Sequence, residues 1–388
     1  MAISRRTILK GAGIAVVVAG GGVLWRAWDQ HLFSPAQGVP YEPWRSWNPS
    51  QASGPLRLVH AAVLAANPHN TQPWLFHVTD SRIDLFADPT RNIGAIDPFL
   101  REMYVGLGCA LENTLLAAAA HGYRAQVALL PDPANPALAA RIDLSTGAAT
   151  PSALFDAIPR RHTSRGPYEP ARPVSAQTLA QLAALVSDIP EVRVRWYAQA
   201  PERATFSELI VQATKAIIAD RQQAADSARW FRDSWQAIEK HRDGITLDAQ
   251  GLPSFINLIA KLLPAPGQDT ADQMWLKATR ESHVGTAAAF GLLAVHDSGD
   301  TVQRLLGGQA WQRMHLWGTT QGLGMQPLNQ LPERADRERQ LGIEPRFGNA
   351  LKALLGDEGW QVLMPFRLGY PTRVGLPSPR RPVPSVLV

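Results

Sequence analysis

Apolar and polar residues alternate with two different periods along this chain, and each change of period marks an element. Between residues 57 and 66 the apolar positions Val59, Ala62, Val63 and Ala66 recur at helical spacing. Asn67-Pro68 ends that helix, because the residue before a proline is pushed out of helical geometry. Residues 74–78 and 83–87 alternate in steps of two around Thr79-Asp80-Ser81, the pattern of a β-hairpin. A long helix is predicted over 98–123 with Gly122 near its stop, followed by short strands at 126–130 and 141–144. Beyond Ser152 the pattern predicts a short helix, a helix over 176–186, a strand over 192–197 and helical structure over 201–240. Residues 243–272 read as a long loop with a short helix inside, of the size that often covers a site. A strand at 290–295, a helix at 301–321 and a strand at 362–368 complete an α+β pattern.

The pattern repeats. Gly108-x-Ala110, Leu116, Gly122 and Gln126 recur 200 positions later as Gly308-x-Ala310, Leu316, Gly322 and Gln326. In both copies a strand-rich stretch leads into a helix that ends at a glycine. This predicts an internally duplicated fold, with halves at 56–150 and 151–388 sitting as the subunits of a pseudo-dimer. Residues 37–55, rich in proline and with little periodicity, read as a linker.

Charge changes the picture at the N-terminus. The chain has 388 residues and a formal net charge of +5, which invites a nucleic-acid partner. Residues 1–36 carry +3 of that excess through Arg5, Arg6, Lys10 and Arg26 against Asp29, so no nucleic acid is needed to explain it. Ser4-Arg5-Arg6-Thr7-Ile8-Leu9-Lys10 followed by an uncharged run over 11–24 has the layout of an export signal. It resembles the twin-arginine pattern with Ile8 where phenylalanine is usual, which implies Tat export machinery as a partner and an exported, periplasmic protein. Fourteen residues are short for a membrane span, and an uncleaved membrane tether remains the alternative. The glycines inside this run lack the preceding strand of a dinucleotide loop and are discarded as one.

Composition removes several chemistries. The single cysteine, Cys109, excludes an intramolecular disulfide and lies in an apolar stretch that suits an inert, buried thiol. No His, Asp or Glu grouping has metal-ligand spacing, so no metal is expected, and no Gly-x-Ser-x-Gly elbow is present. Two polar clusters remain. Pro68-His69-Asn70-Thr71-Gln72-Pro73-Trp74 offers amides to a ring bearing carbonyl and amide groups, or forms an ordinary Asx turn. Arg160-Arg161-His162-Thr163-Ser164-Arg165 brings guanidiniums and hydroxyls together as a phosphate cradle would, and Pro379-Arg380-Arg381-Pro382 is placed to join it.

Taken with Gly322-Leu323-Gly324-x-x-Pro327 and Asp88-Pro89, these motifs resemble the nitroreductase family of FMN enzymes, closest to its Acg-type branch of single-chain pseudo-dimers. The resemblance runs over most of 56–384. It implies an α+β, nitroreductase-like fold with FMN bound between the halves. Arg161, His162, Thr163, Arg165 and Arg380 match positions around the phosphate and ribityl chain; Pro68, His69, Asn70 and Gln72 match the loop given by the opposite half. Leu328, Asn329 and Gln330 match a segment facing the flavin ring edge. Because each cluster occurs once, one FMN per chain is expected. The implied activity is two-electron transfer from a nicotinamide, a small-molecule donor, to a nitroaromatic or quinone-like acceptor. No catalytic side chain is required, since the flavin carries the chemistry. A flavin-storing protein with little turnover is the alternative, as is an exported interaction protein whose site binds nothing.

Overall fold

The computed structural model describes residues 29–30, 34–48 and 53–388. The twin-arginine motif, the uncharged run and its glycines lie outside the described residues. Two four-stranded antiparallel sheets organise the chain. The first holds β1 (Trp74–Thr79), β2 (Arg82–Ala87), β3 (Tyr123–Leu129) and β4 (Leu138–Thr146) in the order β1-β2-β4-β3. The second holds β5 (Val192–Tyr197), β6 (Ala289–Val295), β7 (Gly324–Pro327) and β8 (Gln361–Gly369) in the order β5-β6-β8-β7. The two orders are the same, strand for strand.

The connections match as well. A short helix, α1 (Leu56–Ala62), precedes the first sheet. Between second and third strands each sheet sends out a 20-residue helix, α2 (Arg101–Ala120) from the first and, further along, its counterpart Thr301–Thr320 from the second. These two helices cross at the centre of the molecule, where Gly108 meets Gly308. A Cβ on Gly108 would lie 2.0 Å from the Leu305 carbonyl oxygen, and one on Gly308 would lie 2.1 Å from that of Val105. The contact is reciprocal at the 200-residue offset, and only glycine allows the backbones so close. Polar pairs extend it: Gln312 donates to Asn113 at 2.8 Å, and Arg313 meets Glu112 at 2.9 Å. Cys109 is buried at this crossing, its thiol pointing at the Gly308 carbonyl at 3.3 Å, and burial pushes its pKa up. It is the inert thiol expected.

The second half adds α3 (Ala200–Ala219) and α4 (Ser254–Leu262) before that central helix, α5 (Thr301–Thr320), and α6 (Gln330–Leu341) after β7. The predicted loop at 243–272 contains α4, and from Gln268 it is already helical. Strand β7 and helix α6 were not anticipated by periodicity. The sequence of α6 has no apolar stripe; it buries Arg334 and Arg337 instead, against Asp220 at 3.2 and 2.9 Å. Apolar patterning cannot announce a helix held by ion pairs.

Candidate functional site

Three separate stretches of chain converge beside the start of the second half. The short helix Ala153–Ala157 is capped by the Ser152 side chain, and a 3-10 turn, Ile158–Arg160, follows it. The chain then runs extended from Arg161, whose side chain turns inward. Arg161 is 2% exposed; its Nη2 donates to the Leu64 carbonyl at 3.1 Å, while Nε and Nη1 have no hydrogen-bond partner among the described residues. Arg380 arrives from the C-terminal segment, donating to the Ala65 carbonyl at 3.3 Å, to the Asn70 amide oxygen and to the Pro379 carbonyl; its Nε is without a partner among the described residues. Arg165 donates to the Ala249 carbonyl at 3.3 Å. These three guanidiniums line one cleft with Asn70, His162 and Thr163.

Every protein acceptor just named is neutral. Burial and mutual repulsion therefore act on the cluster with no carboxylate among these partners to offset them. Arg161 and Arg165 are each pulled down to about 10, first by burial and then by a neighbouring guanidinium, and Arg380 falls well below the usual arginine range. The histidines respond in the same direction. His162 is lowered to about 3 by burial and by Arg161 and Arg380, and His69 to about 4 by burial and Arg165. Both imidazoles are neutral at pH 7, so the cleft's charge rests on its arginines. Ser164 Oγ and His162 Nδ1, buried beside them, also lack partners. An anion with several acceptor oxygens would satisfy this set; buried donors left unmade are otherwise costly.

The loop from the first half closes the cleft from the other side. His69, Asn70 and Gln72 have φ of 46, 56 and 54°, three left-handed positions interrupted by right-handed Thr71, which cost energy for side chains other than asparagine. The loop is held by its own amides. Gln72 accepts from the Arg381 amide and donates to the Arg242 carbonyl, both at 2.8 Å. Asn70 donates to Gly244 and Pro379 carbonyls at 3.1 and 2.9 Å. Pro68 packs against Gly106 of α2, and His69 reaches Ser227 at 3.1 Å.

Most of the predicted residues are thus brought together: Asn70, Arg161, His162, Thr163, Arg165 and Arg380 line the cleft, and Pro68, His69 and Gln72 shape its wall. Others are placed elsewhere. Arg160 is exposed and Arg381 turns to the Gln72 and Ser385 carbonyls. Leu328, Asn329 and Gln330 do not line the cleft. Strand β7 starts beside it, where the Ser164 amide meets the Met325 carbonyl at 3.3 Å, but three extended residues carry the chain about 10 Å onward. Leu328 enters the second half's core, and Asn329 lies beside Glu102 in a buried cluster with Asp97 and Glu333. Burial raises Glu102 to about 7 there, and Glu333 further.

Two residues of the site were missed. Trp44 lies in the segment read as a linker, yet it is buried with its ring 4.7 Å from the Arg380 guanidinium and 4.6 Å from the His162 ring, and it donates to the Ser378 carbonyl at 2.7 Å. Arg367 in β8 is fully buried, stacks 4.0 Å from Tyr168 and donates to the Ser164 and Gly166 carbonyls at 3.1 and 2.7 Å, fixing the arginine loop. Its signal was a lone charge in an otherwise uncharged strand.

No protein-family model matches the chain. It is 36% identical over 130 residues to "Putative NAD(P)H nitroreductase Rv3131" of Mycobacterium tuberculosis, covering 32% of this chain and 36% of that one. It is 35% identical over 113 residues to "Putative NAD(P)H nitroreductase acg" of the same organism, covering 28% and 34%. The chain thus spans about a third of the length of the curated relatives it matches. Among solved structures, the FMN and NADPH-dependent nitroreductase NfnB from Sphigopyxis sp. strain HMH aligns over 61% of this chain and 97% of its own, at 16% identity and a TM-score of 0.40. The FMN-dependent NfnB from Mycobacterium smegmatis aligns over 60% and 96%, at 17% identity and a TM-score of 0.37. Over about a third of its length, then, the chain is related in sequence to mycobacterial proteins of the nitroreductase family.

Proposed function

We propose that the whole chain is a nitroreductase-type oxidoreductase that holds FMN in the arginine cleft and transfers two electrons from NAD(P)H to a nitroaromatic or quinone-like acceptor. The observation that carries this reading is the set of buried N–H groups, unpartnered among the described residues, on Arg161 and Arg380, two residues that line one cleft and whose acceptors are neutral. Arg161, Arg165 and Arg380 would take the phosphate, and Thr163 adds a hydroxyl toward the ribityl chain. Neutral His162 packs without adding charge, and Trp44 keeps water from the guanidiniums. Asn70 and Gln72 hold the left-handed loop in place. When bound, FMN would supply hydride-transfer chemistry that no side chain here can perform.

The matched strand orders and the reciprocal glycine crossing support an internal duplication, a pseudo-dimer within one chain. The arginine cluster belongs to one half and the Asn70–Gln72 loop to the other, so one FMN per chain follows. Residues 1–36 support export, through the paired arginines and the uncharged run after them.

One observation favours flavin storage with little turnover. Residues 249–251, from the segment expected to act as a lid, press on the arginine loop, with a Cβ on Gly251 lying only 2.3 Å from the Gly166 nitrogen and Arg165 donating to the Ala249 carbonyl at 3.3 Å. Anaerobic mixing of the purified yellow protein with NADPH separates the two. Bleaching of the flavin absorbance within minutes is expected of the reductase; a spectrum that stays oxidised would leave storage as the function.

A further inference from the structure

Helix α4 is amphipathic in the inverted sense. Its polar residues face the protein: Asn257 and Lys261 both reach the Asp248 carboxylate at 2.8 Å, and Lys261 is buried. Its apolar residues face out. Phe255 is 69% exposed and Ile256 48%, with Ile259 one turn further along the same stripe. Met274 on the following helix, Gln268–Ala278, is exposed too. A surface helix normally turns its apolar stripe to the core, and the opposite arrangement marks a surface made for something apolar.

What covers it is indicated by the chain's own N-terminal side. Asp248 also accepts the Ala36 amide at 3.0 Å, so one carboxylate ties α4 to the segment leading back to residues 29–30. Gln30 and Lys261 line a common cleft, and Gln30 accepts the Trp235 amide at 3.1 Å. The uncharged run over 11–24 ends five residues before Asp29, about 17 Å of extended chain at most. An apolar sequence with Arg5, Arg6 and Lys10 ahead of it thus joins the fold beside an outward apolar helix. Cations next to apolar residues suit an anionic lipid surface, whereas a second copy of this chain would have no use for them.

We propose that the Phe255–Ile256–Ile259 face of α4 lies in the headgroup–acyl boundary of a lipid bilayer, beside the attachment of the N-terminal run. The full chain would then sit on the membrane by two neighbouring contacts, the second of which is part of the fold. This inference is independent of the flavin reading.

The test uses full-length Phe255→Cys, in which Cys109 is too buried to compete for an environment-sensitive fluorophore. With vesicles of phosphatidylcholine and phosphatidylglycerol, the label should shift to the blue, rise several-fold in intensity and be quenched by lipid-borne nitroxides but not by aqueous iodide. Adding Ile256→Asp and Ile259→Asp, 48% and 37% exposed, should abolish the shift while the chain still melts in one cooperative transition. A label that stays open to iodide while the chain floats with vesicles would overturn the proposal. So would a chain that does not float at all, or a blue shift that grows with protein concentration in the absence of lipid, which would mark a contact between copies.

Discussion

Arg161 shows why the cleft is read as a binding site and not as a structural network. A buried guanidinium with two unpartnered nitrogens and no carboxylate among its acceptors lowers the stability of the protein that contains it. Arg161→Met is therefore expected to raise the melting temperature of the flavin-free protein while weakening FMN binding at least tenfold, through loss of a charge-assisted contact of about 1.5–3 kcal/mol. Thermal melts and flavin titration of the same preparation check both halves; a variant less stable and unchanged in binding would make Arg161 a packing residue. His162 gives a pH signature. Its folded pKa of about 3 lies below the free value, so as pH falls through 6.5 the unfolded chain takes up a proton that the folded chain refuses. That contribution to stability is whole above pH 6.5 and is lost toward pH 3, by about 1.4 kcal/mol per unit. Glu102, raised to about 7, acts in the opposite direction, so the test is a difference between variants. Relative to the parent, His162→Asn should gain stability between pH 7 and pH 5 in denaturant melts, and a constant offset would contradict the assignment.

Among the elements, the crossing of α2 and α5 is the joint on which the two halves turn. Gly108→Ala would drive a methyl group into the Leu305 carbonyl, and backbone cannot move aside as a side chain can. A loss of about 3 kcal/mol or more is expected, against a gain of up to about 1 kcal/mol for Gly348→Ala, whose added methyl meets only the Pro345 side chain at 3.5 Å in an ordinary helix. Equal effects in chemical denaturation would mean the crossing is looser than described. These elements also show what could be read beforehand. The hairpin β1–β2 follows from alternation, while both 20-residue helices and β6 and β8, buried on nearly every side, follow from unbroken apolar or small-residue stretches of the right length. The arginine cluster and the Asn70–Gln72 loop follow from unusual concentrations of hydrogen-bonding groups. Trp44, Arg367, β7 and α6 do not. Trp44 sits among prolines that break any period, Arg367 acts through carbonyls far away in sequence, and α6 is buried by ion pairs that look like solvent-exposed charge. The distance of residues 328–330 from the cleft has the same origin, since it is set by the direction of β7.

At the scale of the molecule, two sheets with the same strand order stand beside one cleft to which their halves contribute unlike groups. One half contributes an amide-rich loop, the other the arginines, and the N-terminal segment lays Trp44 over the guanidiniums where the two meet. Most of the chain's basic excess sits in residues 1–36, and part of what is left converges on one buried cleft. We propose that this cleft recognises the phosphate of a flavin nucleotide. Titration of flavin-free protein with FMN and, separately, with riboflavin, which carries the same ring and no phosphate, is the decisive measurement. One FMN should bind per chain, with the affinity for riboflavin lower by at least about 100-fold, the loss of two charge-assisted contacts. Equal affinities for the two, or no binding of FMN, would contradict it.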